Sequence, residues 1–227
     1  MKIIKPKTKT ISHILIFPLP IQDPVNSILK LSELLLFFSN NIHITFLTTH
    51  VVYRNLFILA RAHERFNKNH RFSFHAISDG LSEDHIRGRE KFLEMFLIVK
   101  TLVQEMVMSS KFSCIIADGL FDFVLDVGNE ANVPVFYFDT ISPSCLWVYF
   151  WVPKLVEDAG EIPFKGNKDL DALVNVPSMD EFLRWCDLPY FYHGRDETDK
   201  TMIQILTTQM KQFERAKGII LNTFDDF

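Results

Sequence analysis

Six short apolar runs, rich in β-branched and aromatic residues, alternate with longer stretches of helical periodicity between His13 and Leu221. That alternation is the strongest constraint on the fold. Strands separated by helical crossovers pair in parallel, and right-handed crossovers place helices on both faces of the sheet. The spacing predicts strands over His13–Phe17, His43–Leu47, Arg71–Ile77, Ser113–Ala117, Val133–Phe138 and Gly218–Leu221. It predicts helices over Val25–Ser39, His50 to about Asn67, Lys91–Ser109, Leu120–Ala131, Ser144–Asp158 on both sides of Pro153, and Thr198–Lys217. The stretch from Ser78 to His85 reads as a loop from its Gly, Asp and Ser content. From Gly160 to Arg195, Pro163, Pro177 and Pro189 interrupt every pattern, which predicts a long excursion over the surface. The expected architecture is an α/β, doubly wound parallel sheet of six or seven strands. It forms a single domain over residues 1–227, with residues 1–12 as a flexible tail.

Composition removes several classes of function. A hydrophobic content of 48% with 22 Phe supplies a large aromatic core, and a net charge of −4 offers no basic field for nucleic acid. The first ten residues carry four lysines, read as a solvated stretch. The apolar run behind them contains His13, Pro18 and Pro20 and lacks a small-residue cleavage site, so it does not read as a secretory leader. No run reaches the ~18–20 apolar residues of a membrane span. The strongest later one, Cys145 to Val152, stops at Pro153. Cys114, Cys145 and Cys186 are odd in number and far apart, as expected of reduced thiols in a cytoplasmic protein rather than of a disulfide framework or a zinc site.

In an open α/β sheet, ligands bind outside the carboxyl ends of the strands. After the first strand that edge carries Gln22, Asp23 and Pro24. Asp at the N-cap and Pro at the first helical position would start the Val25 helix well. Asp118 follows the buried run SCIIA at the same edge, where it is either a helix N-cap or a site carboxylate. Asp122 and Asp126, four apart, read as a solvated helix face. Gln22, Leu120, Phe121, Ser142, Trp147 and Tyr149 lie at or just after strand ends and are candidates to line an apolar cleft with a few polar anchors. Packing into the core is the alternative for each. There is no glycine-rich phosphate cradle, no paired-histidine metal motif and no nucleophile elbow. His70 and His75 flank a strand without ligand spacing, so no metal site is expected.

Eight segments, in order, carry a resemblance: HILIFPLP, VNSILKLSELLL, ITFLTT, AISDGLSEDH, CIIADG, VPVFYFDTIS, GEIPFKGN and IILNTFDDF. Together they resemble the N-terminal part of the plant family-1 UDP-glycosyltransferases, most of all the subgroup that includes the iridoid (7-deoxyloganetic acid) glucosyltransferases. The resemblance implies a GT-B architecture of two Rossmann-like domains, the first holding the acceptor and the second the UDP-sugar. It implies metal-free inversion at the sugar's anomeric carbon, with UDP-glucose as co-substrate and no cofactor held by the first domain. A histidine in the first strand–helix loop takes the acceptor's proton, and an aspartate orients it. Asp118 matches that aspartate. Where the family has Gly-His, this sequence has Asp23-Pro24, so a proline without an ionisable group occupies the base position. Asp23 is a poor substitute, since a carboxylate is a weak base beside a phenol near ~10. Loss of a general base worth ~10²–10⁴-fold raises the barrier by roughly 3–5 kcal/mol. A carboxylic-acid acceptor, already ionised at neutral pH, needs no base.

The sequence reaches Phe227 without the family's donor signature, so the C-terminal donor domain, the natural packing partner, is expected to lie outside it. Two functional expectations follow. One is the acceptor-binding half of an enzyme that glucosylates a small lipophilic plant metabolite such as an iridoid, terpenoid or phenolic. The other is a truncated, inactive remnant that at most holds a lipophilic ligand.

Overall fold

A computed structural model of the chain describes residues 11–59, 66, 68–81, 89–159, 169–188 and 197–223. Six strands form one sheet in the order β3-β2-β1-β4-β5-β6, every pair parallel. They are β1 (Ser12–Phe17), β2 (Ile42–Thr49), β3 (Phe72–Ile77), β4 (Cys114–Asp118), β5 (Val135–Asp139) and β6 (Gly218–Leu221). The helices are α1 (Gln22–Phe38), α2 (His50–Leu59), α3 (Arg89–Ser109), α4 (Phe123–Glu130), α5 (Pro143–Ala159) and α6 (Glu197–Arg215).

The period of two along each strand divides the core. Leu15, Phe17, Leu47, Ile115, Ala117, Val135 and Tyr137 pack on one face, against Met95, Val99, Val103 and Val107 of α3 and against α4 and α6. Ile14, Ile16, Ile44, Phe46, Ile116 and Phe138 pack on the other, against Val25, Ile28, Leu29 and Leu36 of α1. Helices therefore cover both faces, as the alternation predicts, and the central strands read as continuous apolar runs because both their faces are buried. Among the described residues no helix is long and apolar enough to cross a membrane.

The contact between α4 and β5 depends on Gly128, where a Cβ would lie 2.3 Å from Val135 Cγ2 and 2.8 Å from the Val133 carbonyl oxygen. Backbone cannot yield as a side-chain tip can. Gly128→Ala is therefore expected to destabilise the fold by about 1–3 kcal/mol, the usual cost of overpacking. Urea unfolding measures it, and an unchanged midpoint would show that the helix can ride away from β5.

Several boundaries differ from expectation. Ser12 already belongs to β1, its N–H donating to Asn41 O at 2.8 Å, so the proposed tail is too long by that residue; residues 1–10 lie outside the described residues. Helix α1 begins at Gln22 with Ile21 at its N-cap and no side-chain cap. Asp23 and Pro24 are thus the second and third helical residues rather than cap and first. The missing Pro24 N–H is harmless there, because the first i to i−4 bond runs from Val25 N to Ile21 O at 3.2 Å. Helix α4 begins at Phe123 with Asp122 as its N-cap residue, so Asp118 does not cap it. Helix α5 continues through Pro153, as the helical pattern on both sides of it predicts.

The expected surface excursion is only partly one. Within 169–188, Val174, Val176 and Leu188 are buried against Val148 and Leu155 of α5 and Ile203 and Leu206 of α6. A single bridge, Leu173 to Arg184, and a short 3-10 turn, Trp185–Asp187, hold this segment. Prolines stop regular structure, yet apolar side chains still seek burial. Residues 160–168 and 189–196 of that region, and 60–65 and 67 of the long second helix, lie outside the described residues.

Candidate active site

After β1 the chain builds β2 on one side, and after β4 it builds β5 on the other. The crevice between these two departures is the switch point at which such sheets bind ligands. A cleft of about 170 Å³ opens there. The β1 exit contributes Leu19 and, from the first turn of α1, Pro24; the β4 exit contributes Asp118 and Leu120. The β5 exit adds Asp139, Thr140 and Ile141, α5 adds Tyr149, and α6 adds Leu206 and Gln209. A larger hollow of about 670 Å³ lies on the sheet face beside α3, lined by His13, Thr45, Ser73 and Glu105 among others rather than by the strand-exit carboxylates.

One local device positions both carboxylates. Asp118 is the last residue of β4, and its Oδ1 accepts the Leu120 N–H at 3.0 Å. Asp139 is the last residue of β5, and its Oδ1 accepts the Ile141 N–H at 3.1 Å. Asp79, just past β3, makes the same turn with the Leu81 N–H at 3.1 Å. In each case Asp ends the ladder by offering a side-chain acceptor two residues on. Gln209 of α6 reaches across and donates from Nε2 to Asp139 Oδ2 at 3.1 Å, fully buried. Gly119 permits that approach, since a Cβ there would sit 2.4 Å from Phe213 Cζ and 2.5 Å from Gln209 Nε2.

Burial sets the electrostatics. Asp118 is only 6% exposed, and desolvation pushes its carboxyl up to about 7, against the backbone N–H groups of Leu120 and Leu19 and with help from the charge of Asp139. Burial also raises Asp139, opposed by the Ile141 and Thr140 N–H groups and by Gln209. Burial raises the Tyr149 hydroxyl and the Cys145 thiol of α5 as well. Two buried carboxyls beside each other do not readily both ionise. Asp139 has the additional side-chain donor Gln209, which favours its ionised form, and Asp118, raised to about 7, exchanges its proton near neutrality.

The sign for stability follows directly. The folded value of Asp118 lies above the unfolded one, so the fold binds its proton preferentially between about pH 4 and 7. The associated stability is complete below that window and is lost as pH rises through it. Asp118→Asn is expected to flatten this slope and to relieve, above pH 7, a penalty on the order of 4 kcal/mol at most. Urea unfolding of both proteins at acid and mildly alkaline pH checks it, and parallel pH dependences would contradict it.

Four of the residues singled out from sequence, Pro24, Asp118, Leu120 and Tyr149, line this one cleft. Three do not. Phe121 is completely buried and stacks on Phe17 with ring centroids 4.2 Å apart. Ser142 is exposed and accepts the Cys145 N–H through Oγ at 3.2 Å, capping α5. Trp147 donates its indole N–H to Pro177 O at 3.0 Å. Trp147 and Tyr149 stand two apart on a helix and so cannot share a face. The Gln22 side chain lies outside the described residues, and Asp23 is exposed. Asp139 and Gln209 escaped the sequence reading. Asp139 had a signal, since Asp-Gly-Leu, Asp-Gly-Leu and Asp-Thr-Ile each follow a strand at positions 79, 118 and 139. Gln209 had none, because its partner is 70 residues away.

The fold is an α/β Rossmann-like fold, and its structural neighbours are GT-B glycosyltransferases. The crystal structure of UDP-glucose:anthocyanidin 3-O-glucosyltransferase in complex with UDP superposes with a TM-score of 0.75 over 96% of this chain and 48% of that one, at 22% identity. No protein-family model matches the chain. A 7-deoxyloganetic acid glucosyltransferase of Catharanthus roseus is 38% identical over 97% of this chain and 48% of its own length. A second 7-deoxyloganetic acid glucosyl transferase of Catharanthus roseus is 39% identical over 94% of this chain and 46% of its own. The chain belongs to the plant family-1 UDP-glycosyltransferases and corresponds to their N-terminal half; it spans about half the length of the curated relatives it matches.

Proposed function

We propose that this chain is the acceptor-binding half of a UDP-glucose-dependent, inverting glycosyltransferase that glucosylates a small lipophilic metabolite such as an iridoid, terpenoid or phenolic. The cleft at the switch point carries the reading, lined by the apolar Leu19, Leu120, Ile141 and Leu206 and by the carboxyls of Asp118 and Asp139. The two Catharanthus roseus relatives, both named for an iridoid acid, support the substrate class. UDP-glucose is the co-substrate and is held by a C-terminal half like that of the relatives, which packs against this one. This half holds no cofactor of its own. Three free cysteines suit residence in the cytoplasm.

Pro24 lines the cleft and carries no group that accepts a proton, and the resemblance puts it at the position of the family's base. An acceptor that arrives ionised escapes this deficit. With the chain joined to the donor half of a Catharanthus roseus relative, geranic acid is expected to be glucosylated about tenfold or more faster than geraniol. Equal rates on this matched pair, or none on either, would sink the proposal. Pro24 also favours a second reading, a domain that holds a lipophilic ligand without transferring sugar to it. Binding of both compounds by calorimetry with no turnover of either would establish that reading instead.

A further inference from the structure

A carboxylate that orients a catalytic histidine has a ring nitrogen to hold. Among the described residues no histidine lines the cleft with Asp118, and Pro24, which shares that lining, offers neither a side-chain donor nor a backbone N–H. We propose that Asp118 acts in this protein as the base itself, taking the proton of a hydroxyl acceptor directly in place of positioning another residue. The inference rests on the function proposed above and assigns a catalytic residue within it.

Four observations support the assignment. Asp118 lines the same cleft as Pro24, which places its carboxyl among the groups an acceptor bound there would meet. Its partners are the backbone N–H groups of Leu120 and Leu19, and an ionised carboxylate has about four acceptor sites, so lone pairs remain for the ligand. Its neighbour Asp139 is committed to Gln209 and to the Ile141 N–H. Burial brings the Asp118 carboxyl to about 7, where a group both accepts and releases protons at neutral pH. Among the described residues, the charged group that acts on it is Asp139 at the β5 exit; Tyr149 of α5 shares the cleft, and Tyr149 and Cys145 couple to Asp139. From α6 comes only the neutral Gln209, and Asp23 on α1 is exposed.

The step balances without a further reactant. The acceptor O–H proton moves to an oxygen of Asp118. The acceptor oxygen forms a bond to the anomeric carbon of UDP-glucose. The bond from that carbon to the β-phosphate oxygen breaks, and UDP leaves with its electron pair. The neutral Asp118 then releases its proton to solvent. A carboxylate acceptor follows the same course with no proton to move.

The test uses the full two-domain protein described above, with geraniol and geranic acid as probes. Asp118→Asn is expected to lower glucosylation of geraniol by about 10²-fold or more while leaving transfer to geranic acid near its original rate. The unaltered protein's rate on geraniol should rise with pH through about 7, and its rate on geranic acid should not. Equal loss on both acceptors would assign Asp118 a structural role and overturn the proposal, as would no loss on either. If Asp118→Asn fails to fold, the pH profiles of the unaltered protein decide, and a geraniol rate with no inflection near 7 overturns the proposal. Failure of both acceptors in every protein would instead remove the glycosyltransferase reading itself, and this inference with it.

Discussion

Replacing Pro24 by His is expected to raise glucosylation of a hydroxyl acceptor by on the order of 10²-fold, roughly 3 kcal/mol of barrier, in the protein completed by a donor half. The gain lies at the low end of what a general base contributes, because on the assignment proposed above Asp118 already serves as a base. Histidine's advantage is its unperturbed value near ~6.5 combined with a second ring nitrogen. One nitrogen faces the acceptor and the other donates to Asp118, which then turns from base to positioning residue. The exchange asks little of the helix. Residue 24 stands in the first turn of α1, where backbone N–H groups have no intrahelical partner, so the N–H that His brings needs no accommodation. Transfer to geranic acid should be unchanged. Initial rates on the matched acid and alcohol measure the effect, and an equal rise on both would mean that the substitution reshaped the cleft instead of restoring a base.

Phe121→Ala is expected to cost about 3–5 kcal/mol of folding stability. Phe121 has no exposed surface, stacks on Phe17, and packs against Phe96 and Phe123 at centroid distances of 5.0 and 5.5 Å. These rings tie the β4 exit to β1, α3 and the start of α4. Tyr137, also fully buried, donates its hydroxyl to the Phe121 carbonyl at 3.3 Å, so a cavity here also disturbs a buried hydrogen bond. Guanidinium unfolding gives the number. A loss below about 1 kcal/mol would show that Phe121 is not held in the core and would reopen its candidacy as a cleft residue.

Both effects arise at places where sequence and tertiary structure divided the work. The six strands were legible because their β-branched and aromatic runs are short and their crossovers long, and that pattern has few parallel solutions. The edge that carries the cleft was legible for the same reason, since crossover direction sets where strands of opposite departure part. The chemistry of residue 24 was legible in its entirety, for proline lacks an ionisable group in any fold.

Leu120 and Phe121 are adjacent and equally apolar, yet one lines the cleft and the other closes the core. Asp118 and Asp139 each sit at a strand end, and the arrival of Gln209 from α6 gives only the second a side-chain donor. Helix α1 starts at Gln22 because the turn from Leu19 to Val25 closes there, not because a capping side chain marks it. The apolar residues of 169–188 have no periodicity to betray their burial, which depends on α5 and α6 lying beside them. Sequence by itself determined the strand period, the parallel sense of the sheet and the absence of a base at Pro24, since each follows from local stereochemistry or from the chemistry of one side chain. Only the tertiary structure decided which neighbours line the cleft and which carboxylate gains a side-chain donor, because the first depends on the phase of a turn and the second on a helix some 70 residues distant.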